Sequence, residues 1–139
     1  MLKNLNVRGP LLTTAAFARQ VGPEGGRIIN ISSGVARGMF PGFAAYSATK
    51  AALEAMTRCH AAELGPKKVT VNAVAPGVTD TEMSRAALPP EAKQHMIHNT
   101  ALGRIGTPED IADVVAFLAS DDARWITGQF IDASGGLRF

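Results

Sequence analysis

No two strand-like runs of this chain follow one another closely, and that spacing limits its fold more than any other feature. Residues 27–32 and 69–74 are short, rich in Ile, Val and Thr, and bounded by glycine or proline. Residues 129–133 form a third, shorter run before Ser134-Gly135-Gly136. Long helix-like segments separate the three. Strands so far apart in sequence cannot close as hairpins; they are joined by crossovers and lie parallel. The expected fold is therefore α/β, a parallel sheet covered by helices, in one domain over residues 1–139.

The helices carry their own start and stop signals. Residues 10–20 begin at Pro10, suited to a first helical turn, and end at the Gly22-Pro23-Glu24-Gly25-Gly26 cluster. Residues 43–64 form an Ala-rich helix closed by Gly65-Pro66. Thr107 is placed to cap a further helix, with Pro108 at its first position and Glu109 and Asp110 at the positive end of its dipole. Residues 78–103, interrupted by Pro89-Pro90, have no clean periodicity and are predicted to be a short mobile helical segment or lid. Trp125, Phe130 and Phe139 suit either a core or a subunit contact.

Composition excludes several classes. Lys plus Arg number 14 against 12 Asp plus Glu, too even a balance for a nucleic-acid binder. No apolar run approaches the roughly 18 residues that span a bilayer, and residues 1–6 lack a signal-peptide core. A soluble cytoplasmic protein without a membrane partner is expected. The single cysteine, Cys59, has no partner for a disulfide within the chain. His95 and His98 share a possible helix face without a third ligand, so no metal site is expected.

In open parallel sheets, ligands bind beyond the carboxyl ends of the strands. Ser32-Ser33, Pro76-Gly77 and Ser134-Gly135-Gly136 stand there. Tyr46 and Lys50, at i and i+4, share one face of the helix over 43–64. An ammonium beside a phenol stabilises the phenolate and readies the hydroxyl to exchange a proton with a carbonyl or alcohol oxygen. On spacing alone, the signal is weak and a surface pair without a role is the better reading.

Its neighbours add a family pattern. Asn4-Leu5-Asn6-Val7-Arg8-Gly9, Ile29-Asn30-Ile31-Ser32-Ser33, Tyr46-Ser47-Ala48-Thr49-Lys50, Val71-Asn72-Ala73-Val74-Ala75-Pro76-Gly77 with Thr81, and Gly106-Thr107-Pro108-Glu109-Asp110-Ile111-Ala112 occur in this order. With Ile126-Thr127-Gly128-Gln129 and Gly135-Gly136, they resemble the short-chain dehydrogenases/reductases over nearly the whole chain, and the 3-oxoacyl-carrier-protein reductase branch most. The resemblance implies a Rossmann-type, doubly wound parallel sheet. It also implies an NAD(P)-dependent oxidoreductase, using NADP or NAD, that interconverts a small-molecule carbonyl and alcohol, assembled as a homodimer or homotetramer.

It further implies roles. Tyr46 is the expected acid/base and Lys50 its support and a ligand of the nicotinamide ribose. Ser33 holds the substrate oxygen. Asn6 positions a water in a proton relay, with a cap or surface role as the competing reading. Pro76, Gly77, Val78 and Thr81 are expected to contact the nicotinamide amide and phosphates. The family's Gly-rich Thr-Gly-x-x-x-Gly-x-Gly turn and its Asn-Asn-Ala-Gly segment do not occur in this sequence. The chain therefore resembles the C-terminal half of such a molecule, and is expected to be part of a longer polypeptide or a shortened, non-catalytic relative that serves as an oligomerisation partner. A strand over 27–32 that lacked its usual neighbour would leave an exposed edge.

Overall fold

In a computed structural model, residues 1–137 are described; Phe139 lies outside them. Val69–Pro76 (β2) forms the middle of a three-stranded parallel sheet. Gly26–Ile31 (β1) pairs with it on one side and Phe130–Ala133 (β3) on the other. The parallel sheet expected from strand spacing is what forms.

Helices cover both faces. Gly9–Gln20 (α1) and Ala44–Leu64 (α2) lie on one, where Phe17, Ala18, Val21, Ala61 and Leu64 pack against Val71 and Ile28. Pro108–Ala119 (α5) lies on the other, where Ile111, Val114, Val115 and Leu118 meet Val74, Ile29 and Ile131. Side chains alternate across a strand, so β2 feeds a core on each side and must be apolar almost throughout. Asn72, with Thr70, is a buried polar exception. Its Nδ2 donates to the Ile126 carbonyl at 2.8 Å and its Oδ1 accepts from the Gln129 N–H at 3.0 Å, fastening the entry to β3 against the central strand.

β1 is the less protected strand: none of its six residues is fully buried. Among the described residues it pairs with β2 alone, so its outer side lacks the neighbour that would cover it.

Two boundaries have local causes. Pro10 lacks an N–H and crowds the carbonyl four residues earlier, at Asn6. The chain before it accordingly winds as a wider π-helical turn over Asn4–Arg8, in which the Gly9 N–H reaches the Asn4 carbonyl. Thr107 caps α5 as expected: its Oγ1 accepts from the Asp110 N–H, and Asp110 Oδ2 accepts from the Thr107 N–H. Arg104 grips the same carboxylate through two bonds, of 2.6 and 2.8 Å. These donors hold Asp110 well below the usual carboxylate range, the Arg104 hydrogen bond contributing most.

Residues 78–103 hold two helices, Glu82–Ala87 (α3) and Pro90–Asn99 (α4), separated where Pro89 breaks the backbone. Thr79 pairs with Gly106 and Thr100 with Leu137, tying this excursion to the frame. Trp125 is almost wholly exposed, whereas the Phe130 ring lies under the Arg37 guanidinium at 3.7 Å.

Candidate active site

Ser33 and the anchored end of Lys50 meet at the carboxyl end of β1. Tyr46 lies in the first turn of α2 and Lys50 one turn later. The Lys50 side chain is buried and runs back towards the strand end, where its Nζ donates to the Ile31 carbonyl at 2.7 Å. The same Nζ lies 5.7 Å from the centre of the Tyr46 ring, so the ammonium is on the phenol's side of the helix. Burial pushes the Lys50 pKa down from its ordinary value, because a charge removed from water is disfavoured.

Ser33 follows immediately beyond Ile31 and Ser32. Its backbone is extended, and its Oγ accepts from the Val35 N–H at 3.4 Å, capping the short Gly34–Ala36 turn. The hydroxyl proton is not committed by that bond and can be donated to a ligand oxygen. Ser32 turns the other way and is buried, its Oγ donating to Glu54 Oε1 at 3.0 Å.

Asn6 is buried within the π-helical turn. Its Nδ2 donates to Thr49 Oγ1 at 3.0 Å, and Thr49 in turn donates to the Tyr46 carbonyl at 2.8 Å. Asn6 is thus neither a cap nor a surface residue. It is tied to the stretch of α2 between Tyr46 and Lys50.

Pro76, Gly77, Val78 and Thr81 stand at the neighbouring strand end. The site there is built on close backbone approach: a Cβ on Gly77 would fall 2.8 Å from that of Ser134. The Val78 carbonyl accepts from the Gly106 N–H. Thr81 caps α3 reciprocally with Ser84, so its Oγ1 already accepts the Ser84 N–H. Among the described residues no helix is long and apolar enough to cross a membrane.

Two participants lacked a role in the sequence reading. Thr49 was quoted within a motif but not as the link between Asn6 and Tyr46. Glu54 was passed over, although the buried stripe of α2 runs Lys50, Leu53, Glu54, Thr57, His60, Ala61 and Leu64. A carboxylate on that stripe was the available signal.

Known proteins share this arrangement of chain. A family model described as enoyl-(acyl carrier protein) reductase matches residues 2–138. An oxidoreductase of Methylorubrum extorquens, itself uncharacterized, is 51% identical over 137 residues, covering 97% of this chain and 55% of its own. The 3-oxoacyl-[acyl-carrier-protein] reductase FabG of Aquifex aeolicus is 43% identical over 134 residues, 96% of this chain and 54% of that one. The structure of a 7α-hydroxysteroid dehydrogenase complexed with NADH and 7-oxo glycochenodeoxycholic acid superposes with a TM-score of 0.92 at 34% identity. It covers 94% of this chain and 52% of that one. The chain spans about half the length of the curated relatives it matches.

Proposed function

The chain belongs to the short-chain dehydrogenase/reductase family, and from that premise we propose that it carries the proton-transfer centre of an NAD(P)-dependent oxidoreductase interconverting a carbonyl and an alcohol. The observation that carries this reading is the Lys50 ammonium, buried, anchored on the Ile31 carbonyl and lying beside the Tyr46 ring.

Each residue has a distinct task. Ser33 donates its free hydroxyl proton to the substrate oxygen and holds it. The Tyr46 hydroxyl gives that oxygen a proton in the reducing direction and takes one back in the oxidising direction. The Lys50 charge stabilises the phenolate left after donation, and its lowered pKa lets the ammonium pass on a proton more readily. Asn6, through Thr49, steadies the turn of α2 between the two.

The donor set fits the nicotinamide end of a dinucleotide. Lys50 spends one of its three N–H groups on Ile31 and keeps two for ribose hydroxyls. Pro76, Gly77, Val78 and Thr81 stand at the adjacent strand end for the amide and phosphates. The cofactor, NADP or NAD, would supply the hydride. The sequence has no Gly-rich turn to seat the adenosine half.

The likeness of residues 30–33 and 106–109 to the 3-oxoacyl-carrier-protein reductase branch supports a β-ketoacyl thioester as the first substrate to test. A cytoplasmic homodimer or homotetramer is the matching assembly; Leu11 and Leu12, half-exposed on α1, suit a subunit contact. The uncovered edge of β1 favours a second reading, an assembly partner without turnover.

The test uses the whole natural protein, titrated with NADH and NADPH by nicotinamide fluorescence and then assayed for ketone reduction. Tyr46→Phe is expected to lower kcat by about 10²–10⁴-fold with cofactor affinity unchanged. Undiminished turnover in Tyr46→Phe, or a folded protein that neither binds nor reduces, would overturn the enzymatic reading.

A further inference from the structure

Ser33 is flanked in sequence by two residues that reach the same carboxylate. Ser32 Oγ donates to Glu54 Oε1 and Arg37 Nε donates to Glu54 Oε2, both at 3.0 Å. Between those attachment points lie only Ser33 and the Gly34–Ala36 turn that it caps. Glu54 is on α2, one turn beyond Lys50 and two beyond Tyr46, and is only 6% exposed. Arg37 extends the connection by lying over the Phe130 ring of β3.

A buried carboxylate is costly to keep, and an apolar side chain of similar size is often as good or better for stability. Its nearest neighbours on the buried stripe of α2 are Lys50, Leu53 and Thr57. What a hydrocarbon could not do is accept two hydrogen bonds at once from the two ends of a loop. We propose that Glu54 is a positioning residue. It clips both ends of the Ser32–Arg37 loop to the helix bearing Tyr46 and Lys50, and thereby fixes the Ser33 hydroxyl relative to the phenol. The inference rests on the reading of Ser33 and Tyr46 as partners at one substrate oxygen.

The experiment compares Glu54→Ala, Glu54→Gln and Ser32→Ala in the whole natural protein, each alone and in a Ser33→Ala background. Kinetics on the ketone substrate are paired with hydrogen exchange at the Ala36, Arg37 and Gly38 amides, which donate to the carbonyls of Ser33 and Gly34. Glu54→Ala is expected to lower kcat about 10–100-fold, to leave cofactor affinity within about twofold, and to speed exchange at those three amides. Glu54→Gln keeps an acceptor for Ser32 and is expected to recover part of the loss. In the Ser33→Ala background Glu54→Ala should cost nothing further, because the residue it positions is gone.

An equal loss in both backgrounds, or unchanged kcat with unchanged exchange, overturns the proposal. Should Glu54→Ala not fold, Ser32→Ala replaces it, since it removes one attachment and leaves the Arg37 pair intact. If the wild-type protein reduces no carbonyl, the functional reading has failed by itself. The exchange measurement then judges the clip alone: faster exchange at the three amides upholds it and unchanged exchange removes it.

Discussion

β1 and β2 run side by side in register from Gly26–Val69 to Ile31–Val74, yet they occupy different surroundings. β2 is buried from Val69 to Ala75, with a strand on each side and a helical layer on each face. β1 has one strand beside it, and Ile31 remains 45% exposed. Both strands are rich in β-branched residues. Burial in a parallel sheet therefore follows from the number of neighbours a strand has, and the candidate site sits at the end of the less protected strand.

Substitutions along the two strands test that contrast. The largest effect is expected for Asn72→Ala, which leaves the Ile126 carbonyl and the Gln129 N–H without partners beside a new void. A loss of about 3 kcal/mol in denaturant unfolding is expected. Val74→Ala, at a position with no exposure, should cost about 2 kcal/mol for lost burial and the cavity left behind.

The helix shared by both strands should respond at an intermediate level. Thr107→Ala removes the cap of α5 and is expected to cost about 1 kcal/mol. Asp110 adds a pH signature. Its carboxyl is held below the ordinary value of 3.8 in the folded chain, so the stability it contributes is present above that pH and is lost as the pH falls through the folded value. Acid unfolding of Asp110→Asn should lack this component.

Ile31→Ala should have the smallest effect, within about 0.5 kcal/mol, because the side chain is already half in water. A loss as large as that of Val74→Ala would show that β1 is covered in the whole protein, and would erase the contrast.

The parts of this fold that were legible in the sequence are those specified locally. Strand–helix alternation gave the parallel sheet, and Thr107-Pro108-Glu109-Asp110 gave the start of α5 to the residue. Lys50 and Tyr46 were legible because a helix repeats its faces at i and i+4. The parts that were not legible depend on partners distant in sequence. Nothing within residues 27–32 says whether a second strand lies alongside. Pro10 accounts for the wide turn that contains Asn6, but the partner of Asn6, Thr49, is far along the chain. Glu54 becomes meaningful only when Ser32 and Arg37 fold onto it.

The excursion between β2 and α5 leaves and returns at one point, since the Gly106 N–H donates to the Val78 carbonyl and the Asp80 N–H to the Gly106 carbonyl. With its two feet already joined, lengthening or replacing what lies between them adds little closure entropy, about 0.6 kcal/mol for each doubling of a flexible loop. Changes in the link between α3 and α4 around Pro89, clear of Thr81, Thr100 and Arg104, should therefore leave the sheet beneath with its stability, as interchangeable heads serve one handle.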